Sequence, residues 1–130
     1  MAKSNKKRVD EVCLGARHYT IEWNAEKADD LAADIGDPSD HAYGVCVHND
    51  RTIVLNPDVH GTADTVLETF LHEAFHVVEP FIGVKISHRV IDALANATAS
   101  MLIQSGIVDT SELVIAGRCL DDFQGLPEEE

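Results

Sequence analysis

A chain of 130 residues with 45% hydrophobic content supports one modest core, which predicts a single domain. Its formal charge is −13, and four of its 10 basic residues fall in the first eight positions, so residues 9–130 set only 6 basic side chains against 23 acidic ones. Such a body repels phosphate backbones and argues against nucleic acid as the main ligand; the absence of any apolar run near the roughly 18 residues of a membrane span argues against a membrane partner.

The basic start from Lys3 to Arg8 leads into Val9-Asp10-Glu11 instead of an apolar signal core, so the expected compartment is the cytoplasm. Residues 1–10 read as a disordered basic arm, 11–120 as the folded domain and 121–130 as an acidic tail ending in Glu128-Glu129-Glu130. Cys13, Cys46 and Cys119 are odd in number and form no Cys-x-x-Cys pair. Neither a disulfide framework nor a thiolate zinc site is suggested, and reduced, buried cysteines are expected.

In chain order, His18-Tyr19-Thr20-Ile21-Glu22-Trp23 alternates as a half-buried strand does, with Tyr19, Ile21 and Trp23 on one face. Asn24 caps a predicted helix over residues 25–35, stopped by Gly36, and Asp37-Pro38-Ser39-Asp40 reads as a turn. Residues 43–47 and 52–55 predict a β-hairpin. Gly61-Thr62 opens a helix that Pro80 should close just after Glu79. Ser87 caps another, running to about Gln104 and ended by Gly106, with His88, Asp92 and Asn96 on the side opposite its apolar face. Asp109-Thr110-Ser111-Glu112 resembles a capping box before a brief last helix near Gly117. The fold class expected is α+β: a small antiparallel sheet of about three strands packed on two antiparallel helices.

The first of those helices carries His72-Glu73-Ala74-Phe75-His76. Residues four apart share a helix face, so both imidazoles can reach one Zn²⁺, and Glu73 can take a proton from a water acidified by the metal. Such a His-Glu-x-x-His pattern is a metalloprotease signature; shuffling this composition yields one about 3% of the time, which makes it good evidence. A catalytic zinc needs a third protein ligand. No histidine stands six residues beyond His76, which excludes the pattern with three histidines on one run. If the next helix returns antiparallel, Asp92 comes level with the motif; His88, one turn earlier, is the alternative and by residue type the better zinc donor.

With these residues in hand, the chain resembles small bacterial and phage zinc metallopeptidases of the ImmA/IrrE-like kind, within the gluzincin-like set. The resemblance covers residues 18–105 and rests on the pentapeptide, on Asp92-Ala93-Leu94-Ala95-Asn96, and on the hairpin from Gly44-Val45-Cys46 to Ile53-Val54-Leu55-Asn56. It implies a minimal zincin-like core with His72, His76 and the acidic Asp92 as zinc ligands. The group more often has Glu at that third position, and Asp shortens the reach by one methylene. Only the pentapeptide is specific.

Glu68 and Glu79 are candidates to orient an imidazole, and Tyr43, Tyr19 and His60 to stabilise an oxyanion. His18, His41 and His48 read as surface histidines, and Trp23 as core. The function expected is a zinc metallopeptidase in which Glu73 is the general base and a peptide or protein is the substrate. The alternative is a non-catalytic zinc-binding regulator or adaptor. A metal-dependent nuclease fits the acidic body poorly.

Overall fold

In a computed structural model the chain is described over residues 7–35, 43–58 and 62–123. The architecture is α+β, with two mixed sheets. The larger contains β2 (Glu11–Leu14), β3 (Arg17–Trp23), β4 (Gly44–Val47) and β5 (Thr52–Leu55), in the order β2-β3-β5-β4. The β2–β3 and β4–β5 pairs are antiparallel, whereas β3 and β5 run parallel.

That parallel pair corrects the expected antiparallel sheet, and the cause lies in the composition of β5. Ile53, Val54 and Leu55 are at most 1% exposed, so both faces of this strand are covered, which favours an interior place in the sheet. The second strand of the hairpin therefore borders β3, and β4, with Gly44 and the half-buried Cys46, takes the outside.

Asn24 caps α1 (Ala25–Ile35) as expected: its side-chain oxygen accepts from the amide of Lys27 at 2.9 Å. This helix packs on β4 and β5, and its Ala28 is fully buried. The turn expected at residues 37–40 lies outside the described residues.

The motif helix, α2 (Ala63–His76), starts at Thr62, where the Thr62 and Thr65 side chains each accept from the other's backbone amide. It ends sooner than expected. Pro80 sits in the first turn of a separate short helix, α3 (Glu79–Ile82), where a missing N–H costs nothing. After Ser87, α4 (His88–Gln104) returns along α2. The core joins Tyr19, Ile21, Ile53 and Leu55 of the sheet to Val66 and Leu67 of α2, Ala99 of α4, and Ile115, Leu120 and Phe123 from the C-terminal segment.

That segment departs from expectation. Asp109 caps only a 3-10 turn, Thr110–Glu112. The β-branched run behind it forms β6 (Leu113–Ile115), which a tight turn joins to β7 (Arg118–Cys119). Ala116 and Gly117 supply two successive positive φ angles, 48° and 86°, the requirement of a two-residue hairpin turn. The basic arm expected over residues 1–10 is also not wholly an arm. Its residues Lys7–Val9 form β1, which pairs in parallel with β6 and makes the second sheet, β1-β6-β7.

Trp23 ties the two sheets together. Its indole nitrogen donates to the Ile115 carbonyl at 2.8 Å while its ring stacks on Phe123 at 5.0 Å, with Arg118 over both rings. Phe123 is 8% exposed, so the start of the expected acidic tail is packed structure. Among the described residues no helix is long and apolar enough to cross a membrane.

Ile115 is fully buried where the two sheets meet. Ile115→Ala should cost about 2–5 kcal/mol in urea unfolding, the usual range for a core Ile→Ala change. A loss below about 1 kcal/mol would show that the small sheet does not share the cooperative core.

Candidate metal centre

The histidines of the motif are buried. His72, Glu73 and His76 are 6%, 2% and 8% exposed, enclosed between the sheet and α4. One helical turn sets the two rings 5.0 Å apart between centroids, and their Nε2 atoms face each other at 3.3 Å. The outer nitrogens are both occupied. Asp92 of α4 places Oδ1 at 2.7 Å from Nδ1 of His72, and Glu79 of α3 places Oε2 at 2.9 Å from Nδ1 of His76.

A carboxylate on Nδ1 holds the proton there and turns the lone pair of Nε2 inward. Two inward lone pairs at this separation repel unless something positive lies between them. Two nitrogens on one tetrahedral zinc, at bond lengths of about 2.0–2.1 Å, stand about 3.3–3.4 Å apart, so the observed spacing fits the ion.

His88 closes the group. It is the first residue of α4, its ring lies 5.5 Å from that of His72 and 5.1 Å from that of His76, and its Nδ1 is enclosed by protein. One donor atom from each of His72, His76 and His88 falls within 4.8 Å of the others. Asp92, the third ligand expected from helix levels, is not in this group; it backs His72 instead. Asp92 does come level with His72 as expected, but its carboxylate meets the outer Nδ1 and not the Nε2 that faces His76, while His88, one turn earlier, sets its ring beside both imidazoles.

Glu79 is held by several partners at once. Besides His76 it accepts from the Ile86 amide at 2.8 Å and binds Nε2 of His48 at 3.1 Å, and the Nδ1 of His48 meets the Tyr19 hydroxyl at 2.7 Å. Burial pushes the Glu79 carboxyl up, but the Ile86 amide and the two imidazoles outweigh it and hold the group below the ordinary range. His48, read as a surface histidine, is a third exposed and also bridges Glu79 and Tyr19. Tyr19, fully buried with its hydroxyl on His48, is not placed to meet an oxyanion. His60 and His41 lie outside the described residues.

Burial lowers the His76 pKa against the opposing pull of Glu79, which favours the neutral, ligand-ready imidazole. Glu68 is raised by burial and by the charges of Asp92 and Asp64 and accepts from Asn96 Nδ2 at 2.9 Å. The Cys46 thiol is driven far above its usual range by burial and by Glu73 and Glu79, so it stays a neutral thiol.

Glu73 occupies the remaining side. One carboxylate oxygen lies 4.0 Å from Nε2 of His72, on the edge of an open cleft of about 300 Å³ that His72 and Glu73 line with Tyr43, Thr65, Glu68, Thr69 and Asp92. Gly44 makes room for it. A Cβ at position 44 would stand 3.2 Å from Cγ of Glu73 and 3.1 Å from the Val54 carbonyl.

The pentapeptide made His72, Glu73 and His76 findable. The His48 bridge had no local signal, since its partners lie 29 and 31 residues away. The chain matches no protein-family model, no curated protein and no solved structure. Its chemistry is therefore read from the geometry of the site.

Gly44→Ala forces β4 away from α2 or Glu73 out of its place. Unfolding free energy should fall by about 1–3 kcal/mol, the cost of overpacking. An unchanged midpoint in urea would show that the strand and helix approach each other less closely.

Proposed function

We propose that this chain is a zinc-dependent metallopeptidase with His72, His76 and His88 as the protein ligands. The observation that carries the reading is the pair of inward Nε2 atoms 3.3 Å apart, each ring backed by a carboxylate and joined by a third buried-facing imidazole. Three histidines are also the donor set of known catalytic zinc sites, which keep one position open. Bound there, zinc supplies a Lewis acid that polarises a carbonyl and acidifies a water.

The rest is done by the chain's own groups. Glu73, held beside the histidines with one face on the cleft, takes the proton from the attacking water and returns it to the departing amine. Asp92 and Glu79 keep the two rings in a single tautomer and orientation. Tyr43, 47% exposed and lining the cleft, would stabilise a developing oxyanion through its hydroxyl. β4 is the end strand of its sheet and begins beside Glu73, so an extended peptide added along it would run past the cleft. The ImmA/IrrE-like kinship belongs to the same proposal, with His88 standing in place of the acidic third ligand that it implies.

Metal content tests the ligand set apart from activity. Zinc that survives dialysis should be lost in His72→Ala, His76→Ala and His88→Ala. Asp92→Asn should retain a site weakened by about 10–100-fold, the usual cost of removing a partner behind a metal ligand. Full zinc in His88→Ala with none in Asp92→Asn would return Asp92 to the ligand set.

Glu73→Gln should keep its zinc and lose at least about 10²-fold in peptide hydrolysis, the low end for a missing general base. If the zinc-loaded wild type cleaves no member of a broad peptide library, the site is a non-catalytic one and the peptidase reading falls.

A further inference from the structure

The β2–β3 hairpin carries a second group of donor atoms. Alternation along the two strands turns Val12, Tyr19 and Ile21 inward and leaves Glu11, Cys13, His18 and Thr20 exposed on the outer face. Cys13 is thus exposed, against the expectation of buried thiols. The antiparallel register sets Cys13 directly opposite His18, with Glu11 two residues along on the same face. Cys13 Sγ lies 3.1 Å from Nδ1 of His18, and Oε1 of Glu11 lies 3.2 Å from that same nitrogen. One donor atom from each of the three falls within 4.8 Å of the others.

The arrangement does not suit a nucleophile. A thiol activated through imidazole needs sulfur on one ring nitrogen and the carboxylate on the other, whereas here both converge on Nδ1. Convergence on one point suits a cation. On a tetrahedral zinc a nitrogen stands about 3.3–3.6 Å from an oxygen or sulfur neighbour, within a few tenths of an ångström of the spacing found. A thiolate and a carboxylate bring two negative charges, which a divalent ion neutralises, and sulfur beside nitrogen selects thiophilic ions over magnesium or calcium. The donors also need little ordering. They stand on paired strands closed by a two-residue turn in which Gly15 takes φ +62°, so the backbone ladder holds them together.

We infer that Glu11, Cys13 and His18 form a surface site for one thiophilic divalent cation, zinc foremost, with a fourth position open to water or to a donor from a partner. The site stands apart from the motif histidines, whose donor set contains no sulfur, and does not depend on their holding a metal. Binding takes the thiolate, so one proton leaves Cys13 for each ion bound.

Absence of sulfur from the motif site makes the test specific. Full-length wild-type protein, reduced and kept anaerobic, is titrated with Co²⁺, and the sulfur-to-cobalt charge-transfer absorption in the near ultraviolet is followed. The band should saturate at one equivalent, vanish in Cys13→Ser, and persist in Cys46→Ser and Cys119→Ser. His18→Ala and Glu11→Gln should each weaken binding by more than about 10-fold, the low end of the cost of losing even an outer partner of a metal ligand. No band in the wild type, a band surviving in Cys13→Ser, or unchanged affinity in both His18→Ala and Glu11→Gln would overturn the inference. His72→Ala should leave the band intact, which separates failure of this site from failure of the motif site.

Discussion

Each motif histidine is gripped from behind by a carboxylate, and the arrangement of the helices follows from that requirement. An imidazole on a helix turns about two torsions, so two rings facing each other need their outer nitrogens fixed. Glu79 meets this need three residues beyond His76, which obliges the chain to leave α2 early and fold α3 beside it. Asp92, itself 68% exposed, meets it from a different helix, which ties α4 to α2 at this level.

The rotation of α4 carries a visible cost. His88, Asp92 and Asn96, the polar residues set apart from its apolar side, are the ones that face α2, with Asn96 bonded to Glu68. Ile91, Ala95 and Ala99 are buried, but Val90, Leu94 and Met101 are 49%, 49% and 64% exposed. A helix docked for hydrophobic burial alone would turn those three inward. Glu73 and Glu79 add to the expense, because a carboxylate removed from water costs several kcal/mol unless it is well paired. A fold that leaves apolar groups wet and makes carboxylates dry is shaped around a polar centre.

Where the signal was local, the sequence was legible. Asn24, Thr62 and Ser87 announced three helix starts because capping is a contact within a few residues, and alternation with a tight turn announced the β4–β5 hairpin. The motif spoke for the same reason, since i and i+4 meet on any helix. The parallel place of β5 was harder to read, because it depends on what covers both faces of Ile53-Val54-Leu55. His88 against Asp92 turned on which nitrogen of the His72 ring each residue meets, which level along a helix does not encode. The β1-β6 pairing joins residues more than a hundred positions apart, and the brief helix expected near Gly117 failed because its apparent cap serves only a 3-10 turn before a strand.

The bridge from His76 through Glu79 and His48 to Tyr19 runs from the centre into the hydrophobic core, where Tyr19 is wholly enclosed. In the proposed metal centre, that length makes ion occupancy and core order reciprocal. Whatever fixes the His76 ring narrows the freedom of the Tyr19 hydroxyl, and whatever loosens the core around Tyr19 is felt by the ring. Substitutions at a position that reads as pure packing, far along the chain from the motif histidines, would then pass through selection as changes in the affinity of the proposed metal centre.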